Sequence, residues 1–163
     1  NANLTDAKLM HANLMHANLT CAKLVRANLM RANLTGANLT NENNGLTGAH
    51  LDGAKLWGAD LTDADLTNVR LYHASLTDAI LTNANLERAG LDYVNLMRAN
   101  LTGANLTDAG LMCANLMHAN LERADLSGAN LWAADLTGAH LDGANLIGAH
   151  LKDAKMPDGT IHA

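Results

Sequence analysis

The chain has 163 residues, enough for one domain, a net charge of −5, and 48% hydrophobic residues drawn mostly from Ala and Leu, with two Trp, two Tyr and no Phe. The negative balance disfavours nucleic acid as a direct partner. A single Pro and an evenly spread polar fraction argue against disorder, and no apolar run is long enough for membrane insertion.

From its first residues the chain repeats every five positions. Leu falls at 4, 9, 14, 19, 24, 29, 34 and 39; the phase slips by two, and Leu resumes at 46 and recurs by fives to 151, with Met156 in the next slot. Two positions before each stands Ala, except at Asn44, Val69 and Val94, and the residue between is mostly Asn or Asp. The two remaining positions read as freely variable. A helix would carry a five-residue repeat around its whole surface. A continuous strand would send successive leucines to opposite faces. A short extended edge followed by a turn satisfies the spacing, because Ala and Leu two apart point the same way. Four such edges, each turned by about a right angle, close a coil of about 20 residues with Ala at the wall and Leu on the axis. Each buried Leu contributes ~1.5–3 kcal/mol. The Asn or Asp suits turn geometry and can accept from neighbouring backbone amides.

The A-[ND]-L-x-x quintet, running from Asn1 to Asp158 with one interruption, resembles the signature of the pentapeptide-repeat proteins. The tail Met156-Pro157-Asp158-Gly159-Thr160-Ile161-His162 is similar to the ending of many cyanobacterial members. The resemblance implies an all-β fold, a right-handed quadrilateral parallel β-helix (a solenoid) of about eight coils with a Leu-centred core. One such domain is expected over 1–158, with a two-residue insertion near 41–45 and a C-terminal tail at 159–163. Asn41, Glu42, Asn43, Asn44 and Gly45 form a candidate loop, read first as a tolerated surface bulge and second as a partner-binding element.

Sorting outward residues by coil, with the insertion assumed not to skip a face, puts Met10, Met30, Tyr72, Tyr93, Met112 and Trp132 on the second face. Met15, Trp57, Met97 and Met117 fall on the third. Thr20, Thr40, Thr62, Thr82 and Thr102 stack on the fourth. Faces one and four then carry nine carboxylates against four cations, and faces two and three six against seven. The ten Met, Trp and Tyr residues are therefore the candidate lateral interaction surface; Met adapts its shape to a partner.

Catalytic, cofactor and metal sites are not expected. Eight His, including His11 and His16 on adjacent faces, diverge on a convex rod rather than converge on an ion. The Asp pairs Asp60/Asp63 and Asp63/Asp65 lie on a solvated surface without a cleft. Glycines are scattered and form no phosphate loop. Cys21 and Cys113 lie about 20 Å apart by coil spacing and cannot bridge each other; two thiols suit a reducing compartment. With no signal peptide visible and Asn1 rather than Met at the start, the expected location leans cytoplasmic.

The expected function is a non-catalytic structural or protein-interaction scaffold acting through its lateral surfaces. Self-assembly is a further route: the first coil presents unpaired backbone, and Pro157 would block stacking at the other end. The resemblance implies two alternatives. One is a DNA-mimicking inhibitor or protector of DNA gyrase; the modest net charge, the lack of Phe and the short tail depart from that pattern. The other is a regulatory protein that binds one target.

Overall fold

The computed structural model describes residues 2–40 and 49–163. They form a right-handed quadrilateral β-helix, with eight rungs on each of two faces and seven on each of the other two. Coil 1 comprises residues 2–21, coil 2 22–40, coil 3 49–68, coil 4 69–88, coil 5 89–108, coil 6 109–128, coil 7 129–148, and the last half-coil 149–158. The right hand is the one that parallel crossovers adopt.

One quintet explains the rest. Ala99 donates its N–H to Leu96 O across the corner (3.0 Å), Asn100 to Ala79 O of the coil before (2.9 Å), Leu101 to Asn120 O of the coil after (2.7 Å), and Gly103 to Glu122 O (2.9 Å). Only the amide after Leu lacks a backbone acceptor, and the Asn side chain fills that role: Thr102 N–H donates to Asn100 Oδ1 at 3.1 Å, and the Thr102 hydroxyl to the same oxygen at 2.7 Å. The same pair of bonds recurs at Thr107 on Asn105, Thr62 on Asp60 and Thr137 on Asp135. The preference for Asn or Asp thus follows from one unpaired donor per quintet.

The corner is a type II turn. Its closing bond spans three residues and its second turn position has positive φ, near +55° at Asp6, His16 and Arg26. Among the described residues twenty non-glycines hold this left-handed conformation, and eleven of them are Asp, Asn or His, the types that tolerate it best. The second turn position is therefore not freely variable, which corrects the sequence expectation. Among the described residues no Thr, Val or Ile occupies it, whereas every described Thr before the tail follows its Leu directly, one position earlier.

Leucines from Leu24 to Leu39 and from Leu51 to Leu136 fill the axis and are at most 1% exposed, with the Ala or Val of each of these quintets forming the inner wall. Leu4, Leu9 and Leu14 at one end and Leu141, Leu146 and Leu151 at the other are half-buried. The tail turns back on the last coil: Ile161 pairs antiparallel with Lys155, and Met156 N–H donates to Thr160 O (2.8 Å).

The register corrects the assumed face order. Neighbouring rungs are 20 residues apart, as in Asn3 with Lys23, but Lys23 pairs with His50, a step of 27. The corner closes when Ala49 N–H donates to Leu39 O (2.8 Å), as the Ala or Val of the quintet does at the other described corners before the tail. The coil therefore carries a seven-residue excess between Leu39 and Ala49 rather than two. The physical reason lies in the wall. A two-residue bulge would seat Asn44 in the Ala position, where neighbours are 0–1% exposed, and would bury a carboxamide without a partner. The candidate loop Asn41 to Gly45 itself lies outside the described residues.

Candidate interaction surface

With the register known, each face can be built from its rungs. Face 1 is centred on Asn3, Lys23, His50, Arg70, Gly90, Gly110, Asn130 and His150, and face 2 on Lys8, Asn28, Lys55, Ser75, Asn95, Asn115, Asp135 and Lys155. Faces 3 and 4 follow in turn, from Asn13 to His140 and from Asn18 to Asn145. Tyr72, Tyr93, Met112 and Trp132 move from the second face to face 1, and Trp57, Met97 and Met117 from the third to face 2, where they join Met10 and Met30; Met15 stays on face 3. Nine of the ten candidate residues thus share two adjacent faces. The single Thr column expected on the fourth face divides, with Thr62, Thr82 and Thr102 joining Thr35 on face 3 while Thr20 and Thr40 align with Thr67 on face 4.

Charge separates more sharply than the uncorrected order implied. Faces 3 and 4 carry eight carboxylates (Asp60, Asp63, Asp65, Glu87, Asp108, Glu122, Asp125, Asp142) against Arg88 and Arg123. Faces 1 and 2 carry nine of the eleven cations and seven carboxylates.

The aromatic side chains on faces 1 and 2 are held in place rather than loose. Trp57 donates its indole N–H to Asp78 Oδ2 (3.0 Å), and Arg31 Cζ lies 4.6 Å from the Trp57 ring centroid. Trp132 repeats the bond one face back and four coils on, donating to Asp153 Oδ2 at 3.1 Å. Arg70 stacks over Tyr72 at 5.4 Å and pairs with Asp52 at 2.7 Å. His73 and Tyr93 stack at 5.0 Å between centroids. Met10, Tyr93 and Trp132 are exposed (50%, 51% and 39%). An open concavity of about 540 Å³ lies beside Trp132, lined by Met112, Gly128, Asn130, His150 and Lys152.

Two positions that shape face 1 escaped the sequence reading. Gly90 and Gly110 take the Asn position in successive coils. A Cβ at Gly90 would lie 2.7 Å from the Tyr72 hydroxyl, so this glycine makes room for Tyr72 to lie across it. At Gly110 no Asn side chain is available to accept the following amide, and Asp92 of the previous coil does so instead, taking the Met112 N–H at 2.9 Å. The available signal was two glycines in one slot twenty residues apart.

Several carboxyls lie below their ordinary value. The hydrogen bond from Arg26 lowers Asp6, and that from Arg98, with a further one from the Trp57 indole, lowers Asp78. Asp125 is lowered chiefly by the Ser127 hydroxyl. At Asp60 and Asp135 burial pushes upward but is outweighed by the hydroxyl and amide of Thr62 and Thr137 respectively. Among the described residues, no cluster of three or more His, Cys, Asp or Glu is arranged to hold a metal ion, and no helix is long and apolar enough to cross a membrane.

A square coil with Leu on its axis, Ala along its inner wall and Asn or Asp capping many of its turns defines a class. The pentapeptide-repeat model matches the chain in eight copies over residues 1–36, 46–83, 79–112 and 114–155, and the chain belongs to that family. Among solved structures it is similar to HetL, a pentapeptide repeat protein involved in heterocyst differentiation regulation from the cyanobacterium Nostoc sp. strain PCC 7120. The identity is 40% over 98% of this chain and 70% of HetL, with a TM-score of 0.92. Two trypsin-treated variants of QnrB1, a plasmid-mediated fluoroquinolone resistance protein, match with TM-scores of 0.60 and 0.57. Their identities are 18% and 14%, over 83% and 95% of this chain and 67% and 79% of theirs, and they share the fold. No curated protein matches at a significant level.

Proposed function

We propose that this chain is a non-catalytic regulatory scaffold that binds a protein partner along faces 1 and 2. The observation that carries the reading is the gathering of nine outward Met, Trp and Tyr residues on two adjacent faces, with both indoles fixed by carboxylates. Scattered apolar residues need no explanation, but a concentrated and pre-ordered set fits the composition of a binding surface. The non-catalytic part rests on shape: leucine occupies the interior, and side chains on a convex exterior diverge. The regulatory part rests on the likeness to HetL.

The test is expression in a heterocyst-forming cyanobacterium, with heterocysts counted along filaments. Wild type should alter their frequency, and a Met30→Ser/Met112→Ser/Trp132→Ser variant that keeps its β spectrum and melting temperature should not. Equal effects from both chains, or none from either, would overturn the reading. The eight carboxylates of faces 3 and 4 support a second reading, a DNA-like acidic surface presented to DNA gyrase. A supercoiling assay unchanged by a large excess of the chain would end it.

A further inference from the structure

The cations of faces 1 and 2 are not all accounted for within the chain. Each of the seven carboxylates there has an intrachain donor: Asp6, Asp52, Asp78 and Asp135 pair with Arg or Lys, Asp92 and Asp158 accept backbone amides, and Asp153 accepts an indole N–H. Lys8, Lys23, Arg31, Lys55 and Lys152 form no ion pair among the described residues. Four of these five fall in the first three coils, and all five are exposed. On face 2, Lys8 and Lys55 flank Asn28 in one column, two rungs or ~10 Å apart. Beside them rise Met10, Met30 and Trp57, and Arg31 lies over the Trp57 ring. Stacking uses the flat of the guanidinium and leaves its N–H edge to donate in a fork that matches a carboxylate.

We propose that face 2 over coils 1–3 receives an acidic, flexible segment of a partner protein. Its carboxylates would meet Lys8, Arg31 and Lys55, and its apolar side chains Met10, Met30 and Trp57. The inference rests on the scaffold reading above and names the chemistry of its partner. Charge complementarity selects an acidic occupant: the patch holds excess cations, and the carboxylates nearby are already engaged. Size argues for flexibility. One face, eight rungs tall at ~4.8 Å and three residues wide at ~3.3 Å, offers roughly 400 Å², about half of the ~800 Å² per partner that a stable interface needs. A second copy of this rod would lay one flat acidic face on one flat face and fall short. A flexible segment can follow the corner from face 2 to Lys23 on face 1.

The test uses a short synthetic peptide of Glu, Leu and Gly, and its counterpart with Lys in place of Glu. Trp57 fluorescence in a Trp132→Phe background and backbone amide shifts are the readouts. The Glu peptide should bind, shifting Trp57 emission and amides around Lys8, Met30 and Lys55. Binding should weaken about tenfold in Lys8→Glu/Lys55→Glu and weaken as salt shortens the screening length, but hold in Arg123→Glu, which lowers net charge on face 3. Equal binding of the Lys peptide, or no binding of the Glu peptide, overturns the proposal. So does response to phosphatidylglycerol vesicles without response to the peptide, which would make the patch a membrane contact. Concentration-dependent sedimentation of the protein alone, abolished by Lys8→Glu/Lys55→Glu, overturns it in favour of self-association. Glu-peptide binding that survives Lys8→Glu/Lys55→Glu but is lost in Met112→Ser/Trp132→Ser refutes this site while leaving the scaffold reading standing.

Discussion

Replacing Ala133 by glycine should raise stability, while the same change at its neighbour Ala134 should lower it. Ala133 holds φ +54° at the second turn position. An L-residue pays ~1–2 kcal/mol for that conformation, and the extra freedom of glycine in the unfolded chain takes back ~0.4–1 kcal/mol. The balance is a gain of about 0.5–1 kcal/mol. Ala134 lies at the inner wall, 0% exposed and outside the left-handed region. Its replacement gives up a buried methyl of ~0.8 kcal/mol as well as the entropy, a loss of about 1.2–1.8 kcal/mol. Urea unfolding followed by circular dichroism reads both. With a slope of about 2–3 kcal/mol per molar, the midpoint should rise by ~0.3 M for Ala133→Gly and fall by ~0.6 M for Ala134→Gly. A fall of similar size in both variants would refute the type II assignment of the corner and the strain attributed to it.

Leu81→Asp places a charge on the axis, where Leu81 is 0% exposed, and should abolish folding. Thr82→Asp, one residue on and outside, should change stability by less than about 0.5 kcal/mol; matching melts for the two would contradict the inward and outward assignment. Asp92→Ala removes the only acceptor of the Met112 amide shown in the structure and should cost about 1 kcal/mol. Adding Gly110→Asn restores an acceptor in the usual slot, and the crowding that its Cβ would meet at 3.0 Å from Asp92 Oδ1 is gone, so the double variant should recover. Failure to recover would show that the amide is satisfied otherwise. Acid should destabilise the rod. Asp6, Asp78 and Asp125 have folded values below the unfolded 3.8, so their stabilisation is complete above that value and lost as pH falls through the lower folded ones. Melting temperature should be flat from neutrality to about pH 5 and drop below about pH 4; a rise on acidification would contradict these assignments.

The axis was legible because burial imposes its own period: Leu and Ala at fixed spacing admit few shapes, and the square coil is one of them. The task of Asn100 was legible in kind, since Asn serves turns, but its necessity emerges only when every backbone donor in the quintet is traced and the Thr102 amide is left over. Face membership was not legible. A five-residue phase cannot distinguish an excess of two from an excess of seven, and the residues after the insertion, Trp57 and Trp132 among them, were placed one face too far for that reason. Asn44 in an Ala slot was the clue, since Val69 and Val94, the other exceptions, are apolar and buried. Nor did spacing expose the Tyr72 arrangement over Gly90, which depends on side chains twenty residues apart lying in one column.

The seven-residue excess has a consequence for engineering the molecule. Deleting Glu42 to Gly48 would join Leu39-Thr40-Asn41 directly to Ala49-His50-Leu51, an unbroken run of ordinary quintets. Cutting out two residues instead would tempt the Leu46 quintet into the stack and rotate the first two coils by a quarter turn, carrying Lys8, Met10 and Met30 out of line with Lys55 and Trp57. The length of one segment thus behaves as a dial that aligns two halves of a single binding stripe.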